Sequence, residues 1–178
     1  IIGLGAGEPD FDTPDHIKQA AIAAIGAGET KYTPVPGTLA LRKAISEKFK
    51  RENGLDYTPE QITVGCGGKQ VIFNAFMATL DPGDEVLHVD HGYNAVWQTI
   101  LLTGRRRGII PRRVELPLPV TGPQAVVDAF EQAISPRTRL IVVDQVTSPT
   151  AIRFPVPACL LSTSSHAAES EAGDFDVP

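Results

Sequence analysis

Three short stretches carry residue types that chemistry can use. Gly65-Cys66-Gly67-Gly68-Lys69 is expected at a strand-to-helix turn, where glycine backbone and the first helical amides can approach a phosphate with no Cβ in the way. Glycine at such a turn serves tight packing equally well. Neither Gly-x-Gly-x-x-Gly nor Gly-x-x-x-x-Gly-Lys-Ser/Thr is present, which argues against dinucleotide and nucleoside-triphosphate sites. His91 follows an expected strand end, where open α/β sheets place their ligands. Ring stacking and acid/base work are open to it, and so is the plain role of a loop histidine. Asp144-Gln145-Val146-Thr147-Ser148 follows another apolar run, so its polar side chains are expected at the same edge as His91 and Gly67. A carboxylate at that place also suits a helix or turn cap.

The elements that must position these residues follow from periodicity. Thr13-Pro14 offers an N-cap and a proline at the first helical position, and Ile17, Ala21, Ala24 and Ile25 recur at helical spacing before Gly26 and Gly28. A Pro- and Gly-rich loop from Tyr32 to Gly37 leads to Thr38 as the next N-cap, and Leu41, Ile45 and Phe49 form a stripe ending at Asn53-Gly54. The chain then alternates: extended 61–64, helical 68–80, extended 85–89, helical 93–102, extended 114–116, helical 123–134, extended 140–144. Strands alternating with helices predict parallel βαβ units in a three-layer α/β/α fold with a mostly parallel sheet. Leu140-Ile141-Val142-Val143 reads as a strand buried on both faces. Residues 158–178 are small, polar and acidic and are expected to be a disordered tail behind a single domain of residues 1–157.

Composition narrows the function classes. With 178 residues, 42% of them hydrophobic, one domain can bury a core. A net charge of −5 leaves no electrostatic footprint for nucleic acid, and Arg105-Arg106-Arg107 with Arg112-Arg113 is expected to be a solvated loop. Cys66 and Cys159 are too few for a disulfide scaffold, which fits a cytoplasmic setting. No leader and no apolar run of membrane-spanning length is apparent. No nucleic acid and no membrane is expected among the partners.

Several ordered motifs then carry a likeness. Gly7-Glu8-Pro9-Asp10-Phe11-Asp12-Thr13-Pro14, Lys31-Tyr32, Pro36-Gly37, Gly67-Gly68-Lys69-Gln70 and Pro82-Gly83-Asp84-Glu85-Val86 resemble the N-terminal part of bacterial class I aminotransferases of the aspartate aminotransferase type. The resemblance implies a partial large domain of that fold, pyridoxal 5'-phosphate as cofactor, an amino acid and a 2-oxo acid as substrates, and a homodimer. It implies that Gly7 backbone contacts the substrate carboxylate, that Gly67, Gly68 and Lys69 cup the cofactor phosphate, and that Tyr32 reaches a partner's phosphate. Residues 87–157, through Val89-Asp90-His91-Gly92-Tyr93 and Asp144-Gln145-Val146-Thr147-Ser148-Pro149, look instead like class V enzymes, the isopenicillin-N epimerase-like proteins and cysteine desulfurases. That second likeness implies that His91 stacks on the pyridine ring, that Thr147 lies near the ring hydroxyl, and that two lineages join near residues 86–89. Both likenesses imply a downstream Schiff-base lysine, and no lysine follows Lys69. The expectation is an aminotransferase in truncated form, incompetent by itself; the alternatives are a class V epimerase or desulfurase-like enzyme and a non-enzymatic remnant.

Overall fold

Short apolar runs between helical stretches build the expected α/β architecture. The computed structural model describes residues 11–159, and these fall into two compact units that divide between Val64 and Gly65.

The first unit is helical. Helix α1, Asp15–Gly26, is capped by Pro14 rather than Thr13, because the Pro14 carbonyl takes the Ile17 and Lys18 amides at 3.0 and 3.2 Å. Helix α2, Leu39–Lys48, starts as expected, with Thr38 Oγ1 accepting from the Leu41 amide at 3.3 Å. A π-turn at Phe49–Asn53 extends it to Gly54, whose φ of 68° closes the end. Arg42 fastens the loops by donating to the carbonyls of Pro59 at 2.8 Å and Gly37 at 3.3 Å. The extended segment expected at 61–64 forms no strand. Gln61 ends a 3-10 turn, Pro59–Gln61, and the Val64 amide donates to Pro36 instead of to a neighbouring strand.

The second unit positions the site. Helix α3, Gly68–Thr79, leads to strand β1, Glu85–Val89; α4, Asn94–Arg107, leads to β2, Ile110–Val114; and α5, Pro123–Ala133, leads to β3, Thr138–Val142. The sheet order is β2-β1-β3, all parallel, with Leu87 facing Arg112 on one side and Ile141 on the other. As the central strand, β1 is buried along its whole length. Its side chains alternate between faces. Leu87 and Val89 join Val114, Leu116, Val126, Val127 and Phe130 in the core with α5. Val86 joins Phe76, Leu80, Val96 and Ile100 in the core with α3 and α4. Helices therefore cover both faces, giving the three layers expected.

Four further expectations need correction. Helix α4 runs five residues beyond Leu102, so Arg105, Arg106 and Arg107 form its last turn, where cations complement the helix dipole; they are not a loop. Strand β2 lies at 110–114, not 114–116. Its Pro111, Arg112 and Arg113 look unlike a strand, yet an outer strand tolerates proline and charge. Strand β3 is half-buried rather than buried on both faces, because it is the other outer strand of the described sheet. Cys159, inside the expected tail, is buried against the α5 core and its amide donates to the Pro155 carbonyl at 3.1 Å. The rest of that tail, 160–178, lies outside the described residues.

At the start of the strands a carboxylate pins the sheet. Glu85, 1% exposed, accepts from Ser135 Oγ at 2.6 Å, Arg137 at 2.7 and 3.0 Å, and Arg112 at 3.3 Å. The Ser135 hydroxyl first, then the Arg137 and Arg112 guanidinium groups, outweigh burial and hold the Glu85 carboxyl below the usual carboxylate range.

Candidate functional site

The turn into α3 has the expected form. Gly67 is the N-cap, with φ 94° and no side-chain capping bond, and a Cβ at Gly67 or Gly68 would meet nothing within 4 Å. The Gln70 and Val71 amides turn back to the Gly67 carbonyl at 3.2 and 3.3 Å, and the Gln70 side chain takes the Cys66 amide. The amides of Gly68 and Lys69 precede the first intrahelical bonds, and such unpaired N–H groups at a helix start are open to an anion. Lys69 adds a cation and lies over the Tyr93 ring, its Nζ 5.7 Å from the centroid.

Tyr93 ties this cup to the strand ends. Its amide donates to Asp144 Oδ2 at 2.7 Å, so Asp144 satisfies an otherwise open donor at the head of α4, the capping role that the sequence left open for it. His91, 8% exposed, lies two residues earlier. Its Nδ1 is 3.3 Å from Thr150 Oγ1, and Asp90 Oδ1 stands 3.6 Å from its Nε2. Thr147 is more deeply placed than a ligand contact requires. It is 1% exposed; its hydroxyl accepts from the Ile152 amide at 2.9 Å and meets Thr150 Oγ1 at 2.7 Å. Thr147 thus holds Thr150, and Thr150 holds the His91 ring. Thr150 was missed in the sequence, since its contact lies 59 residues away.

The structure therefore brings Gly67, Gly68, Lys69 and His91 to one edge, with Thr147 one side chain removed. Tyr32 belongs to the first unit, where its ring is exposed, and Gly7 lies outside the described residues. A cleft of about 530 Å³ lies elsewhere in the second unit, between Arg112–Pro117 and α5 residues such as Ala129. Among the described residues no group of His, Cys, Asp and Glu could hold a metal ion, and no helix is long and apolar enough to cross a membrane. Burial pushes the Cys159 thiol up, as befits a core side chain rather than a nucleophile.

Comparison with known proteins matches residues 1–158 to the family model for aminotransferase class I and II. The chain belongs to the class I and II aminotransferases. A probable aspartate/prephenate aminotransferase of Rhizobium leguminosarum is 50% identical over 154 residues, covering 86% of this chain and 37% of that protein. The aspartate/prephenate aminotransferase of Cereibacter sphaeroides is 48% identical, with the same shares covered. The crystal structure of the aspartate aminotransferase from Rhizobium meliloti superposes with a TM-score of 0.80 at 40% identity, over 92% of this chain and 40% of that one. This aminotransferase chain thus spans about two-fifths of the length of the relatives it matches. The class I and II match runs through residues 86–89 and on to 158, so the class V likeness of residues 87–157 finds no support.

Members of this family work with pyridoxal phosphate, and the residues at the sheet edge suit it. The space where Cβ atoms would stand at Gly67 and Gly68 is open, the helix end favours an anion, and a flat, mostly buried imidazole lies along the same edge.

Proposed function

We propose that this chain forms the front part of a pyridoxal-phosphate-dependent aminotransferase that passes an amino group from an amino acid to a 2-oxo acid. The names of the relatives favour aspartate as the donor. The observation that carries the reading is the Lys69–Tyr93–Asp144 chain of contacts, which joins the anion cup of α3 to the strand ends bearing His91. When bound, pyridoxal phosphate supplies an electron-withdrawing ring that takes up negative charge from the substrate carbon.

The chain's own residues bind and orient. The amides of Gly68 and Lys69, at the Gly67 turn, and the Lys69 ammonium hold the phosphate. His91 offers its ring face to the pyridine, and Thr147 acts through Thr150 to keep that ring in one orientation. Gly7 takes the substrate carboxylate and Tyr32 serves the phosphate of a second copy in a homodimer, on the strength of the resemblance. Proton transfer at the substrate carbon is assigned to no residue of this chain. The setting proposed is the cytoplasm, in keeping with two free cysteines.

The test is a pyridoxal phosphate titration followed by absorbance. Saturable binding is expected, competed by inorganic phosphate and weakened about tenfold in Lys69→Ala, as suits loss of one charge-assisted contact. Absence of saturable binding, or indifference to phosphate, refutes the reading.

A further inference from the structure

His88 stands mid-strand in β1, at 0% exposure, on the face that packs against α4. Its Nδ1 lies 3.1 Å from the Val142 carbonyl. A carbonyl only accepts, so Nδ1 carries the proton, and in the neutral ring Nε2 is a bare acceptor. That Nε2 is buried without a hydrogen-bond partner among the described residues. A purely apolar core residue would avoid this cost, so the ring is retained for something else.

The ring's neighbours show what. A Cβ on Gly92 would fall 2.2 Å from His88 Cε1 and 2.3 Å from Nε2. Gly92 has no left-handed φ, so its backbone would accept alanine, and the three atoms nearest to the added Cβ all belong to the imidazole. On its flank the ring stacks with Trp97, centroids 6.5 Å apart at 28°, and Trp97 lies under the Arg113 guanidinium at 4.6 Å. Gly92 sits between His91 and Tyr93. Val142 sits two residues before Asp144, which accepts the Tyr93 amide. One ring thus touches the loop after β1 and the last residue of β3, the two segments that lead into the site.

We propose that His88 is a positioning residue: its ring seats the Gly92 peptide and its Nδ1–H ties down Val142, so that His91 and Asp144 meet the head of α4 in a single arrangement. Leucine would supply neither the flat seat nor the donor, and phenylalanine would lack the donor. The consequence for the cofactor rests on the function proposed above; the positioning itself does not.

Amide hydrogen exchange of Tyr93 in the full chain reads the arrangement directly, because that amide's partner lies 51 residues away. Exchange is expected to accelerate about tenfold or more in His88→Ala, to recover in His88→Asn, whose side-chain amide can still donate to Val142, and to stay unchanged in the same-face core control Val86→Ala. Gly92→Ala, which removes no core atoms, is expected to act like His88→Ala. Unchanged Tyr93 exchange in both His88→Ala and Gly92→Ala, or equal acceleration in Val86→Ala, overturns the proposal. In folded His88→Ala, affinity for pyridoxal phosphate is expected to fall about tenfold; unchanged affinity beside accelerated exchange overturns the claim that the ring serves the site. A parent chain that binds no pyridoxal phosphate defeats the proposed function instead, and the exchange rates alone then decide the positioning.

Discussion

Gly67 and Gly68 look interchangeable in the sequence, yet the backbone separates them. Gly67 holds φ 94°, a conformation that strains any L side chain, whereas Gly68 has no such angle and begins α3. Both have open space where a Cβ would stand. Gly67→Ala is therefore expected to lower stability by about 1–2 kcal/mol through backbone strain, while Gly68→Ala is neutral or slightly stabilising. If that open space seats a phosphate, Gly68→Ala still weakens pyridoxal phosphate binding although the fold is unharmed. Urea midpoints beside cofactor titrations check both arms; a Gly67→Ala chain as stable as the parent contradicts the first, and undiminished binding in Gly68→Ala the second. The places of Gly67, Lys69 and His91 in the fold were legible because their signals are local: a glycine run before a helical period, a histidine after an apolar run. His88 and Thr150 were not, since their partners lie 54 and 59 residues away and no short window contains both ends of such a contact.

Among the elements, helices with local caps were legible, as was β3 to within two residues, and the outer strand β2 was not. Thr38 and Gly54 bracket α2 and its π-turn as expected. Strand β2 was displaced because Pro111, Arg112 and Arg113 violate strand patterning, and what makes them tolerable, a position at the sheet edge, exists only once the fold is formed. Arg112 has a purpose there, as one of three partners of the buried Glu85. The folded carboxyl is held below its ordinary value of 4.5, so its contribution is complete above that value and is lost as pH falls through the lowered one. Glu85→Gln is expected to cost about 1–3 kcal/mol near neutral pH, since Arg112 and Arg137 can still reach water. The same variant should lose part of the parent's steepening acid sensitivity below pH 4.5. Urea melts of both chains from neutral to acid pH measure this; parallel pH curves would show that Glu85 carries none of the linkage.

For the molecule as a whole, the α/β class followed from alternation alone, whereas the division at Val64 and Gly65 did not, because no change in composition marks it. Family membership reaches across the described chain, which spans about two-fifths of its relatives' length, and helix α1 of the first unit presents apolar side chains to solvent. No residue of α1 is buried, and Ile17, Ile22 and Ile25, which share one side of the helix, are all exposed. Clustered apolar side chains in water favour association, so sedimentation is expected to show mass rising with concentration. Ile22→Glu places a charge within the cluster without touching a core, and it should weaken that association at least about tenfold, or about 1.4 kcal/mol, with the circular dichroism of the helices unchanged. A chain that stays monomeric over the whole concentration range, or a variant that associates as the parent does, would show that α1 is not the contact surface. Phe76 and Val86, buried in the second unit, take no part in that surface, so their packing is expected to be the same in parent and variant.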